Sequence, residues 1–296
     1  MSDHSTVEKR SSLVDNIETF KKSVQQALRP PLRAKKGLEA MTRAGALTDD
    51  ISFTDAVRDL RRADLSCVDL EDQRQTLLGQ IDNHLNRLQM RRRMTVLGEL
   101  DRLLSELDQS FKHLTDKPLT IAVGSLTVVI ELLADRADVQ YARQTVATTG
   151  ADAESIAATL EATRRSIQQR ALDSPEFFDV LRRAYQVALT LKGGDDGDRV
   201  DLVDLLVPLA MISTPEAARK KDGIDAIAPF PRYLLAYQLH RLRRDGCLQK
   251  DGFRVDLGTA TGDSTGDKAD VLFLPDTSGG GQYYLSIRLQ PAEPTS

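Results

Sequence analysis

Apolar residues near the start of the chain fall at Val7, Leu13, Ile17, Phe20, Val24 and Leu28, the three-and-four spacing that gathers side chains on one helical face. Pro30 and Pro31 stop this helix, because neither can donate the next backbone hydrogen bond. From there through LEAMTRAGAL to the acidic TDD, the pattern reads as short helices joined by turns. The clearest periodicity comes next. Leu78, Ile81, Leu85 and Leu88 form one seam, and Leu97, Leu100, Leu104, Leu107, Phe111 and Leu114 continue with alternating steps of three and four, as in a coiled coil. Between them QMRRRM breaks the strict register, which would bring Arg92 and then Thr95 inside; Met90, Met94 and Leu97 restore it by a local shift. The pattern predicts a helix over about residues 72–115, roughly 65 Å long at 1.5 Å per residue, able to brace other helices or a second chain.

Residues 116–141 carry two readings. LTIAV and LTVVIEL around Gly124-Ser125 suit a hairpin, since Gly-Ser fits a type II′ turn and the flanking residues are β-branched. Alternatively Asp116 caps a helix with Pro118 in its first turn, and Leu119, Val123, Leu126, Ile130, Leu133, Ala137 and Tyr141 line one face. The helix is favoured, because its period runs well beyond the supposed hairpin. Two better-marked helices follow, one over about residues 152–172, the other opened by Ser174-Pro175-Glu176 and ended by Gly193. GGDDGD, residues 193–198, cannot bury apolar surface and reads as a linker. Beyond it come VDLVDLLVPLAMI, a short helix opened by Thr214-Pro215-Glu216, a turn through KKDGIDAIAPF, the helix PRYLLAYQLHRLRRD, and the strand-like stretches FRVDL, DVLFL and QYYLSIRL.

In the helix around Tyr237, Leu235, Leu239 and Leu242 share one face, Gly246 supplies a left-handed stop, and Leu248 re-enters the core. At about 100° per residue, Tyr237, Arg241 and Arg244 lie opposite those leucines, with Tyr233 and His240 on the flank and Leu234 in the same outer stripe. Arg232, Arg243, Lys250 and Arg254 add positive charge nearby. The order helix, short helix, turn, amphipathic helix, strand, polar glycine-rich loop, strand resembles a winged-helix domain over about residues 199–290. The resemblance rests on Leu239, Leu242, Gly246 and Leu248 and on the loop GTATGDSTGDKAD, which it makes the wing. That superfamily includes DNA readers and protein-docking modules, so the resemblance fixes a fold and leaves the partner open. Guanidinium and phenol groups on an outer face suit phosphates and base edges. They are equally favoured at protein interfaces, and Asp263, Asp267 and Asp270 in the wing would repel a phosphate backbone. Tyr233, Tyr237, His240, Arg241, Arg244, Lys250 and Arg254 are therefore the expected contacts to nucleic acid or to a partner protein.

Composition narrows the classes. The chain has 296 residues, 28% charged and 41% hydrophobic, with a formal net charge of -4, so contact with nucleic acid has to come from local patches. The densest is Arg87, Arg91, Arg92 and Arg93, a secondary basic patch where the long seam breaks. Aromatics are 5% and Trp is absent, which favours helical packing over a β-sandwich. Cys67 and Cys247 form no disulfide framework, no stretch is apolar for the ~20 residues of a spanning helix, and the expected compartment is the cytoplasm. No metal is expected, because His4, His84, His113 and His240 are scattered without an i, i+4 pair. TGDSTGDK lacks the glycine placement of a phosphate loop, SGGGQ reads as a hairpin turn, and the acids of GGDDGDRVDLVD lack a calcium-loop spacing. Cys67 has no identifiable base, and no catalytic motif stands out.

The expected architecture is mainly α: a helical domain with a coiled-coil-like helix over residues 1–192, a linker at 193–198, a winged-helix-like α+β domain over 199–290, and a frayed tail at 291–296. The combination resembles accessory subunits of bacterial chromosome-organising or DNA-defence ATPase complexes, which join winged-helix modules to helical arms. It implies a non-catalytic adaptor, without cofactor, that contacts double-stranded DNA and a partner protein such as an ATPase subunit and forms homo- or hetero-oligomers away from membranes. A purely structural oligomer with no nucleic-acid role is the alternative. An enzyme assembled from distant residues is the third.

Overall fold

The N-terminal periodicity folds into α1 (Asp3–Gln26), α2 (Leu32–Met41) and α3 (Asp50–Arg61), followed by the long α4 (Glu71–Ser105). The structure, a computed structural model, describes residues 3–26, 32–43, 50–61, 71–261, 269–276 and 280–292. Its first compact unit is Met1–Glu99 with Leu132–Asp135, and its second is Leu100–Glu131 with Arg136–Ser296. The first unit packs Leu13, Ile17, Phe20 and Val24 of α1, Leu38 and Met41 of α2, Phe53, Val57 and Leu60 of α3, and Leu77, Ile81 and Leu85 of α4 into one core. The buried His84 imidazole lies edge-on to Phe53, with ring centroids 5.7 Å apart. The proposed stop at Pro30 and Pro31 and the residue Cys67 lie outside the described residues.

The long helix is shorter than its seam suggested. It has 35 residues, about 52 Å at 1.5 Å each, and ends in a tight cap: Gln109 N–H donates to Leu104 O (2.9 Å), Asp108 N–H to Ser105 O (3.1 Å), and Asp108 takes φ +53. Phe111 therefore lies beyond the helix and Leu114 falls in β1 (Lys112–Asp116), so neither continues the seam. Leu100 and Leu104 are buried in the second unit, while Leu107 is exposed.

Residues 116–141 form strands joined by short turns, with a 3-10 turn at Leu132–Ala134, which corrects the favoured helix. β1, β2 (Leu119–Val123), β3 (Leu126–Glu131), β4 (Arg136–Tyr141) and β5 (Gln144–Thr149) form an antiparallel meander in chain order. The Val123↔Leu126 pair leaves Gly124-Ser125 as a two-residue turn, with Gly124 at the φ of +60 that a type II′ turn requires in its first central position. The helical period arose by coincidence. Positions 119, 123, 126 and 130 satisfy both steps of about 3.6 and, strand by strand, steps of two. The strand reading also explains Ile121, Val128 and Val139, which are buried and which the helical face left out. β-Branched Thr120, Ile121, Val123, Thr127, Val128, Val129 and Ile130 fit a pleated surface better than a helical one.

The second unit continues with α5 (Ala153–Arg170), packed on β4 and β5, and α6 (Ser174–Lys192), which opens after Asp173 with Pro175 in its first turn. Then come β6 (Val200–Asp201), a 3-10 turn at Leu202–Leu205, α7 (Leu206–Ser213), α8 (Glu216–Asp222), a 3-10 turn at Gly223–Ala226 and α9 (Arg232–Arg244). β7 (Gln249–Lys250), β8 (Phe253–Thr259), β9 (Leu272–Pro275) and β10 (Gly281–Pro291) complete an antiparallel sheet in the order β6-β10-β8-β7, with β9 paired to β10. Asp251-Gly252 turns β7 into β8, with φ of +51 and +76. The stretch 193–198 lies inside this unit. Two five-stranded antiparallel sheets make this a mixed α and β protein, and the mainly α expectation is corrected. Among the described residues no helix is long and apolar enough to cross a membrane.

Candidate functional site

α9 ends where the sequence places its stop: Gly246, at φ +70, donates its N–H to Arg243 O (3.3 Å), and Cys247 N–H donates to Leu242 O (2.9 Å). Leu235, Leu239 and Leu242 are buried as the wheel requires. Leu234, assigned to the outer stripe, is buried too, at 4% exposure, together with Ala236 and Gln238. The helix is enclosed on more than one side, because α5, β5, α6 and β9 all pack against it.

Most of the expected contact residues are consequently engaged within the protein. Tyr233 accepts a hydrogen bond from Arg170 Nη1 (2.8 Å). Tyr237 is half-buried and meets Tyr141 of β4 edge-on at 5.6 Å. The Tyr141 hydroxyl is buried without a hydrogen-bond partner, and burial pushes its pKa well above the ordinary tyrosine value. Arg241 donates to Leu172 O (3.1 Å) and Asp173 Oδ1 (3.3 Å) and reaches Asp245 Oδ2 (3.4 Å), clasping the α5–α6 connection. Buried Gln238 grips the same connection when its amide is oriented to donate to Leu172 O (3.2 Å) and accept from Leu172 N (2.6 Å). Lys250 donates to Pro175 O (3.0 Å) and Asp179 Oδ2 (2.6 Å). Arg254 is exposed on β8.

Asp245 is the knot of this arrangement, and sequence reading missed it. Buried Ser174 donates to its Oδ2 (2.7 Å) and Arg244 Nε to its Oδ1 (3.0 Å). The Ser174 hydroxyl above all, then Arg244 and Arg241, holds the carboxyl below the usual aspartate range.

The open positive charge lies at the last turn of α9. His240, Arg243 and Arg244 line a shallow notch of about 480 Å³ with Leu274, Pro275, Asp276, Gly281, Gln282 and Tyr284. Arg243 donates to Tyr284 Oη (3.0 Å) and lies over that ring at 5.7 Å, which fixes its guanidinium. His240 is half-buried and hydrogen-bonded to the Pro275 backbone; burial lowers its pKa, with Arg244 and Arg243 adding to the effect, so it is neutral at pH 7. Gln282 and Tyr284 were missed, although both lie in the strand-like stretch QYYLSIRL. Beside the notch, Arg143, at the strained tip of the β4–β5 hairpin (Ala142 φ +53, Arg143 φ +62), lies over Phe273 at 4.2 Å and Tyr283 at 5.1 Å and donates to Tyr283 Oη (2.9 Å). Its signal was hidden while that segment was read as a helix.

The secondary patch belongs to the first unit. Arg87 and Arg91 are exposed on α4, Arg92 pairs with Asp135 Oδ1 (2.7 Å), and Arg93 is half-buried and has a partner. Of the wing, residues 262–268, with Asp263, Asp267 and Lys268, lie outside the described residues; Asp270 is exposed. The acids after α6 are engaged: Asp198 Oδ2 accepts from Asp195 N (2.9 Å), and Lys192 pairs with Asp201 (3.2 Å) and Asp204 (2.5 Å). Among the described residues no three His, Cys, Asp or Glu side chains are grouped to hold a metal ion. No protein-family model, no curated protein and no solved structure matches the chain.

Proposed function

We propose that this chain is a non-catalytic adaptor that holds a partner protein and touches the phosphate backbone of DNA, with the DNA contact at the notch of His240, Arg243 and Arg244. The observation that carries it is that two guanidinium groups and an imidazole line one notch with the Asp276 carboxylate, Arg244 being held by Asp245 and Arg243 by Tyr284. The order of elements over residues 199–290 supports the winged-helix reading: short strand β6, helices α7, α8 and α9, then β8 and β10, with β10 between β6 and β8. The enclosure of α9 argues against its insertion into a major groove, so the contact proposed is to phosphates and carries little sequence preference.

The test is a fluorescence titration of duplex DNA at several salt concentrations with the native chain and with Arg243→Ala/Arg244→Ala. Arg241 is left intact, because it holds the α5–α6 connection through Leu172 and Asp173, and circular dichroism checks that the variant folds without the Arg244–Asp245 and Arg243–Tyr284 bonds. The native protein should bind with a salt slope that falls by about one for each arginine removed. Identical curves for the two forms, or no binding by the native chain, would leave the protein-docking role alone.

A further inference from the structure

Among the exposed large apolar side chains, two groups stand as pairs on helical faces, and charged residues of opposite sign lie near them. The first is the junction of α6 and α7, where Val187 (39% exposed), Leu191 (76%), Val207 (65%) and Met211 (43%) face outward. Each helix contributes a pair four residues apart, and so on one face, and the two helices pack against each other. Lys192, bonded to both Asp201 and Asp204, ties the end of α6 to the turn from which α7 starts, so Leu191 and Val207 border the same junction. Its edge beyond the end of α6 is acidic, with Asp195, Asp196 and Asp198, whereas the exposed Arg183 lies one turn before Val187 at the other end.

The second is the middle of α4, where Met90 (68% exposed) and Met94 (67%) are again four residues apart. Arg87 and Arg91 are exposed on the same face, and Gly98, one turn further on, leaves room for a close approach. Single exposed apolar residues need no explanation, but paired ones on one helical face, rimmed by charge, mark interaction surfaces.

We propose that the methionine and arginine face of α4 in one copy of this chain docks on the α6–α7 patch of a second copy. The charges are complementary, arginines meeting the acidic edge, and methionine side chains adapt readily to an irregular apolar surface. The leucine seam is not the surface: Leu100 and Leu104 are buried within the fold. Because the two faces differ, the contact is heterologous, and every copy offers both halves. Assembly then closes as a pair or ring, or runs on as a filament. This inference is independent of the DNA contact.

The test is light scattering on the eluting 296-residue chain over a range of concentrations. Two variants are compared with it, Met90→Glu/Met94→Glu and Leu191→Glu/Val207→Glu, whose folding is checked by circular dichroism. All four side chains are already exposed, so both variants should fold. The native chain should show a mass above that of one chain and rising with concentration, and each variant alone should be monomeric. An equimolar mixture of the two variants retains one intact pairing and should give a species of two chains and nothing larger. A native chain that is monomeric throughout, variants that assemble as the native chain does, or a mixture that stays monomeric would each overturn the proposal.

Discussion

His240 shows how much one side chain's surroundings decide. Read on a helical wheel it is a flank residue; in the fold it is half-buried, bonded to the Pro275 backbone, and faced by Arg243, Arg244 and Asp276. Its folded-state pKa lies below the unfolded value, so the stability gained by keeping it neutral is complete above about pH 6.5 and is lost as pH falls toward the folded pKa. A bound phosphate favours the charged imidazole and acts in the opposite direction. DNA affinity at fixed salt should therefore tighten between about pH 7.5 and 5.5, and His240→Gln should flatten that slope while binding at pH 7.5 is unchanged. A slope that persists in the variant would remove His240 from the contact. Little of this was legible in the sequence. A wheel orders residues around one axis and cannot show that neighbours close a second side, which is why Leu234 and Tyr237 were both placed outward. The sequence shows Arg243 as nearby charge, but Tyr284, which fixes it, and Leu172 and Asp173, which engage Arg241, come from distant segments.

At the scale of elements, the sequence was most readable where one residue type has one local reason to be present. Gly246 ending α9 and Pro175 in the first turn of α6 are of this kind, although the cap of α6 is Asp173 and not Ser174, whose hydroxyl goes to Asp245. The β2–β3 hairpin was not readable by period alone, since steps of two across a tight turn imitate steps of three and four. Residue type was the better guide there. The β9–β10 hairpin holds a further constraint. A Cβ on Gly281 would lie 2.4 Å from Leu274 O and 2.5 Å from the Phe273 ring, whereas one on Gly258 would meet the ends of Ser286 (2.4 Å) and Arg199 (2.6 Å). Side-chain ends can move aside, but the backbone of a paired strand and a ring held under Arg143 cannot. Gly281→Ala should cost about 1–3 kcal/mol in chemical denaturation and Gly258→Ala less. The reverse order would show that the hairpin has slack its geometry does not suggest.

For the whole molecule, the periodic N-terminal half dominated the composition and suggested a mainly α chain. Strands of five or six residues joined by short turns, as in the β1–β5 meander, give too little periodic signal to compete with a 35-residue helix. That helix belongs to two cores: Ile81 is fully buried in the first unit, and Leu104, 1% exposed, is buried in the second. Truncating either removes comparable apolar volume, about 2–5 kcal/mol at a buried site. What differs is where the loss is felt. If each unit unfolds on its own, Ile81→Ala should lower amide-exchange protection in α1 and α3 and leave β2 to β4 untouched, and Leu104→Ala should do the reverse. Both proteins should show two thermal transitions, with only one displaced in each. Exchange that accelerates uniformly in either variant would mean that α4 couples the two cores into one cooperative structure. A substitution at one end of the helix would then be felt at the notch and the α4 face alike.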